Sequence, residues 1–391
     1  MIPTHDEGQS PRLFALLAKE YAVRETRGEQ AEALEETAQL LLRTCGPATA
    51  DERKRLQCAV ETLSQNRNTV VFDDSGLPSI MVRVPAIREK DVLANGSDAL
   101  HPAFSGGQDE FLVGKYLSSD WNGHACSLPL GNPIFGLNQD AAIQYCKQKG
   151  KGWHVTPFAL RMAIAMQCRR QGFLPNGNSM NGSCYLFPQE TGLPAGDGRT
   201  LCGSGPLTWS HDGTPDGLYD LSGNLNEWDI GYRLMDGEIQ IIPIQALLAQ
   251  DADLSVSSPL WRALDADGCL ALPGSPDTLK YDAPYGQIRM TRHITHPGIG
   301  NCAFADLQTE PGLTPPLMAR LLGLYPEDDR NGYGLGWRWI NTSGEGMPLC
   351  GGAHRAEDHA GVFFVGATYP RTKDYALTGF RILYNPKEGT Q

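Results

Sequence analysis

The sequence predicts an α+β chain in which a helical N-terminal region precedes a loop-rich β domain. Three observations carry that reading. Apolar residues recur at helical spacing ahead of residue 69; only 139–149 and 156–171 keep that spacing afterwards; the remainder is short β-prone runs between loops rich in Gly, Pro, Asn and Asp. The 391 residues include 44 glycines and 27 prolines, and they suffice for a large core. The expected division is a helical region at 1–68, a β-hairpin with linker at 69–109 and a main domain at 110–391.

In the helical region Leu13, Leu16, Leu17 and Tyr21 share one face, Leu34, Ala38, Leu41 and Cys45 a second, and Leu56, Val60 and Leu63 a third. That pattern predicts three short amphipathic helices. Thr49-Ala50-Asp51-Glu52 has the S/T-x-x-E form of a capping box, so the third helix is expected to begin there, with Thr49 accepting an amide hydrogen bond and Glu52 reaching back. The hairpin is predicted from Thr69-Val70-Val71-Phe72, the turn Asp73-Asp74-Ser75-Gly76, and Ile80-Met81-Val82-Arg83-Val84. Ala142, Ile143 and Cys146 line one face of 139–149, and Leu160, Ile164 and Cys168 one face of 156–171, where Thr156 is the expected cap and Pro157 the first-turn residue. There is no internal repeat and no low-complexity tract.

The formal charge is −12 without any Lys/Arg-rich segment, so nucleic acid is excluded as an expected partner, since phosphate contacts supply most nonspecific affinity. No apolar run approaches the ~20 residues of a bilayer span, and membrane insertion is not expected. The start, Met1-Ile2-Pro3-Thr4-His5-Asp6-Glu7, is acidic where a signal peptide is basic, so no export signal is read there. Ten cysteines are spread from Cys45 to Cys350 without a C-x-x-C pair, a pattern expected of free thiols in a reducing compartment.

Five segments occur in order: Phe111-Leu112-Val113-Gly114-Lys115-Tyr116; Gly152-Trp153-His154-Val155-Thr156-Pro157; Gly217-Leu218-Tyr219-Asp220-Leu221-Ser222-Gly223-Asn224-Leu225-Asn226-Glu227-Trp228; Cys350-Gly351-Gly352; and Leu377-Thr378-Gly379-Phe380-Arg381. Over about 110–385 they resemble the formylglycine-generating-enzyme (sulfatase-modifying-factor) superfamily, which implies a C-type-lectin-like fold. Trp228 and Phe380 supply core area, and Arg381 beside a buried aromatic can pair with a carboxylate or stack. Within that superfamily, Gly351-Gly352, Ala360-Gly361-Val362-Phe363, Pro370-Arg371 and Gly379-Phe380-Arg381 are most similar to the variable proteins of diversity-generating retroelements, many of them phage tail receptor-binding proteins. Scaffold residues there alternate with diversified ligand contacts. The resemblance places such contacts at Ala353, His354, Arg355, His359, Phe364, Gly366, Thr368, Tyr369, Thr372, Asp374 and Tyr375. His354 stands where an aromatic is usual and Glu357 where a small residue is common, which leaves open a fixed relative without a retroelement.

The superfamily's oxidases hold copper(I) with two C-terminal cysteines, whereas 303–391 contains only Cys350, so a pair needs a distant thiol such as Cys302. The iron-dependent sulfoxide synthases use histidines on a helical bundle, and the helical region here has only His5, upstream of the helices. No catalytic residue is therefore assigned. Asp220, Gly223, Leu225 and Glu227 match positions that supply calcium in the resembling enzymes, an oxygen set suited to that ion. In the other reading Asp220 caps a turn and Glu227 pairs with an arginine. His293 and His296, followed by Pro297-Gly298, are read as a structural loop, Ser204 in Gly203-Ser204-Gly205 is not a nucleophile elbow, and Glu327-Asp328-Asp329-Arg330 is read as a solvated turn.

The resemblance implies a non-catalytic protein that binds a host-surface protein or glycan through its C-terminal surface, requires no cofactor and has calcium as the one ion considered. Virion tail proteins, or self-association through the N-terminal helices, are further expected partners. The location implied is the virion if the gene is phage-borne, otherwise the cytoplasm. A metal-dependent oxidase and a structural virion protein are the alternatives.

Overall fold

The computed structural model describes residues 49–389 except 122; the expected helices at 13–21 and 34–45 lie outside the described residues. The described chain opens with α1 (Ala50–Leu63), then β1 (Asn68–Phe72), β2 (Pro78–Pro85), the single turn α2 (Glu89–Val92), β3 (Glu110–Gly114), α3 (Gln139–Lys147), β4 (Trp153–Val155) and α4 (Phe158–Arg170). Next come β5 (Asn226–Trp228), β6 (Tyr232–Met235), β7 (Glu238–Ile241), α5 (Ile244–Leu247), β8 (Ile299–Ala303) and α6 (Leu317–Leu321). The C-terminal part holds β9 (Trp337–Asn341), β10 (Glu345–Cys350), β11 (Val365–Tyr369), β12 (Thr378–Phe380) and β13 (Ile382–Tyr384). The molecule is mixed α+β and mostly sheet.

α1 begins as its capping box requires. The Glu52 amide donates to Thr49 Oγ1 at 3.3 Å and the Thr49 amide to the Glu52 carboxylate at 2.8 Å, while Leu56, Val60 and Leu63 are buried. They join a small core with Val70 and Ile80 of the hairpin, whose strands pair in register at Val70↔Ile80. α3 and α4 also form, but α4 corrects one expectation. Thr156 does not cap it: the helix starts at Phe158 behind Pro157, and the Thr156 hydroxyl donates to the Arg381 carbonyl at 3.0 Å. Thr156 is thereby spent on joining β4 to the C-terminal segment.

Two sheets organise the rest. A five-stranded antiparallel sheet runs β1-β2-β3-β13-β4, so the last strand among the described residues is inserted between β3 and β4, with Leu383 opposite both Val113 and His154. A 13-stranded sheet includes the run β8-β9-β11-β10-β6-β7, and β5 joins β10 to β12. The second sheet thus gathers strands from 226 to 380, and its pairs β9/β11 and β5/β12 are parallel. The main core lies under these sheets and takes in Trp228, Phe380 and the buried faces of α3 and α4.

A buried ionic knot ties the sheets together. Arg381, fully buried, donates to both Glu227 oxygens (2.9 and 3.0 Å), to the Gly114 carbonyl on β3 (2.9 Å) and to the Tyr219 carbonyl (2.8 Å). Arg161 on α4 lies 2.5 Å from Glu227 and 2.8 Å from Asp229. Burial pushes the Asp229 carboxyl up to about 7 against the pull of Arg161. Removing one member would strand charge in the interior, a loss of ~3–5 kcal/mol.

Candidate functional site

β9 reads Trp337-Arg338-Trp339-Ile340-Asn341, and its pleat sorts the side chains. Arg338 and Ile340 are buried, whereas Trp337, Trp339 and Asn341 are half-buried on the other face. The same face continues into both neighbours, because Ile299, Asn301 and Ala303 of β8 stand opposite Asn341, Trp339 and Trp337, and Gly366 of β11 stands opposite Trp339. Ile299 is 61% exposed. His359, from the turn Glu357–His359, meets Trp337 edge-on with ring centroids 4.3 Å apart and Trp339 at 6.0 Å. A β-carbon placed on Gly366 would meet the Phe364 ring at 3.8 Å, so Phe364 flanks the same spot. His359, Phe364 and Gly366 of the expected contacts therefore gather around two tryptophans, while Thr368 falls where the register between β10 and β11 shifts. Sequence reasoning missed Trp337 and Trp339, although the alternation of W-R-W-I-N was the available signal.

Tyr369, Thr372, Asp374 and Tyr375 lie at and beyond the end of β11. Tyr369 packs against Tyr375 at 5.3 Å, both half-buried on the main core. Between them Arg371 is buried and acts as a clamp. It donates to Glu345 through Nε at 3.0 Å and Nη2 at 2.8 Å, and Arg233 reaches the same carboxylate at 3.1 Å. Burial raises the Glu345 carboxyl, but the Arg371 hydrogen bonds and charge outweigh it and hold the group below its ordinary range. Asp374 accepts from Asn138 Nδ2 at 2.8 Å, and Thr372 and Asp374 are exposed. The loop is fixed from within and open outside.

Arg355 is exposed, but Ala353 and His354 are buried, with 2% and 1% exposure. This corrects their assignment as contacts. His354 Nδ1 lies 3.0 Å from the Asn224 carbonyl, and its backbone amide donates to the same oxygen, so the residue closes a turn against the segment before β5. Burial lowers its pKa.

The glycines of this stretch divide along the same line. Gly351 and Gly352 have φ of +86° and +80°, and a β-carbon on Gly352 would sit 2.8 Å from the Ala360 Cα. On Gly361 it would meet the Gly336 amide nitrogen at 3.2 Å, and on Gly379 the Ile134 carbonyl at 2.8 Å. Gly366, also buried, is the one of these five where a β-carbon meets only ordinary contacts, 3.8 Å to Phe364 and 3.9 Å to Leu349. Val362, Phe363, Arg371, Phe380 and Arg381 are buried as well.

The residues expected for calcium do not fit that ion. Both Glu227 oxygens are taken by Arg381, with Arg161 beside them, and two guanidinium charges oppose a dication at the same carboxylate. Leu225 is fully buried, and the Gly223 amide donates to the Gly351 carbonyl at 3.0 Å, which makes the segment a brace for the glycine pair. Asp220 Oδ2 accepts from the Gly203 amide at 2.8 Å; Oδ1 is buried without a partner among the described residues. Burial pushes the Asp220 carboxyl up to about 6, against the Gly203 amide and Arg381. Among the described residues no three His, Cys, Asp or Glu side chains stand together as a metal site.

Cys302 and Cys350 are both buried and lie in one cross-strand row, Cys302↔Arg338↔Val365↔Cys350, three strand spacings or about 14 Å apart. They cannot share a copper(I) ion. His296 Nδ1 lies 2.9 Å from Thr295 Oγ1 and 3.6 Å from Asp282, while Glu327 pairs with Arg169, so both segments are held by structural bonds. All nine cysteines among the described residues are free.

No family model and no curated protein matches the chain. Among the solved structures that are similar is Treponema denticola variable protein 1, 12% identical, with a TM-score of 0.34, covering 82% of this chain and 99% of its own.

Proposed function

We propose that this chain is a non-catalytic ligand-binding protein with a C-type-lectin-like fold of the formylglycine-generating-enzyme branch, a variable protein of the diversity-generating-retroelement type. Its C-terminal surface would recognise a receptor on a host cell, a protein ahead of a glycan, as part of a phage tail. The observation that carries this is the division of 351–381 by environment. Positions resembling the family's scaffold are buried or sterically closed, with Pro370 the exposed exception, while Arg355, His359, Phe364, Thr368, Tyr369, Thr372, Asp374 and Tyr375 reach the surface and the buried Gly366 admits a β-carbon without a close contact. Exposed positions around fixed ones tolerate change, and aromatic and arginine contacts dominate recognition energy.

Trp337 and Trp339 extend the surface as rigid aromatic area beside the changeable positions, with His359 edge-on against them. No cofactor takes part in this reading. Sequencing the DNA that flanks the gene tests it. A reverse-transcriptase gene together with a near-copy of the segment coding for about 351–381 is the expected result, and a flank with neither would remove the retroelement assignment.

A further inference from the structure

Away from the tryptophan face, α4, α5, α6 and the end of β7 enclose a pocket of about 370 Å³, within the size range of small-molecule sites. Its lining includes Phe158 and Ala159 at the start of α4, Ile242 after β7, Leu247 of α5, and Met318 and Leu321 of α6. Gly231, with φ of +86°, passes so close to Leu247 that a β-carbon would lie 2.4 Å from its Cδ2, so the backbone itself shapes the cavity. Leu100 and Leu317 stand at the rim, 36% and 51% exposed.

The lining is aliphatic apart from a few polar groups, and its charged members are Glu89 and Asp267, both acidic. No Lys, Arg or His lines it. Glu89 is half-buried and held by Ser97, whose hydroxyl donates to Oε2 at 2.6 Å; Asp267 is exposed on a turn next to Gly268. A neutral apolar guest would fill the cavity and leave the carboxylates unused, and an anionic one would be repelled. We propose that this pocket binds a small amphiphile with an aliphatic body and a cationic ammonium head, the body among Phe158, Ile242 and Met318 and the head toward Glu89 and Asp267.

The site shares no residue with the receptor-facing surface, so it stands or falls separately from the proposed function. Isothermal titration calorimetry of the full chain with octylamine, octanol and octanoate, each below its aggregation limit, tests it. Saturable binding of octylamine at one site, about tenfold tighter than octanol and tighter still than octanoate, is expected. Glu89→Gln with Asp267→Asn should bring octylamine to the affinity of octanol. Ala159→Trp should fill the pocket and abolish binding; Leu317→Trp at the half-exposed rim serves if the first variant does not fold. Absence of saturable octylamine binding, equal affinity for octylamine and octanoate, or undiminished binding by a folded blocking variant would overturn the proposal.

Discussion

Asp220 illustrates how far residue chemistry can be read from sequence. Its place in the Gly217–Trp228 run suggests either a cation ligand or a turn cap, and only the neighbours decide: Arg381 and Arg161 occupy the partner carboxylate. The two readings predict opposite responses to one substitution. Because burial raises the folded pKa of Asp220 from 3.8 to about 6, its charged form opposes folding. Its contribution to stability is most favourable below pH 4, declines as pH rises through the window from about 4 to 6, and stays low above it. Asp220→Asn keeps an acceptor for the Gly203 amide and suits the residue's φ of +60°. Melting curves should show the variant more stable than wild type at pH 7, by up to about 3 kcal/mol, with the gain vanishing at pH 4. The same result is expected with calcium or with a chelator; a loss of stability confined to calcium-containing buffer would restore the calcium reading. The tryptophans were hidden for another reason. Their alternation is visible in β9, but which face is solvent depends on partners at 299–303 and 365–367.

At the scale of elements, helices carried their own evidence and most strands did not. The buried face of α1 and the capping box lie within 15 residues of chain, so local spacing sufficed. Many strands are two to five residues long, too short for a period-2 pattern, and their pairing brings together segments as distant as β3 and β13. Long-range pairing of that kind leaves little local trace. Thr156 failed as a cap because the distant Arg381 carbonyl competed for its hydroxyl. Within β11 and the turn before it, the division of glycines gives a direct test. Gly366→Ser should change stability by no more than about 0.5 kcal/mol, while Gly352→Ser, at φ of +80° with the Ala360 Cα 2.8 Å from the new β-carbon, should cost more than about 1 kcal/mol. Equal losses in urea titrations would dissolve the distinction between open and closed positions. Arg371→Ala should cost about 3–5 kcal/mol, since Glu345 then loses most of its buried partners, and hydrogen exchange should rise across 372–377. Exchange left unchanged there would show that Asn138 and the strand ends hold the loop without the clamp.

For the whole molecule, the α+β class was legible from the spacing of apolar residues and the order of motifs. The shape of the C-terminal surface was not. It comprises an aromatic face on β8, β9 and β11 and a separate loop built around Arg371, and two of the expected contacts, Ala353 and His354, belong to the frame. The central claim is that the surface can change its side chains without changing the fold. A cell-surface display library randomised at Arg355, His359, Phe364, Gly366, Thr368, Tyr369, Thr372, Asp374 and Tyr375 measures this directly, scored by protease resistance and then by enrichment on lysozyme as a probe protein. A second library, randomised at Gly352, Val362, Phe363, Arg371, Phe380 and Arg381, serves as the control. The expected result is that most members of the first library resist protease as wild type does and yield lysozyme binders, while most of the second are degraded. A first library as protease-sensitive as the second, or a folded one from which no binder emerges, would contradict the account.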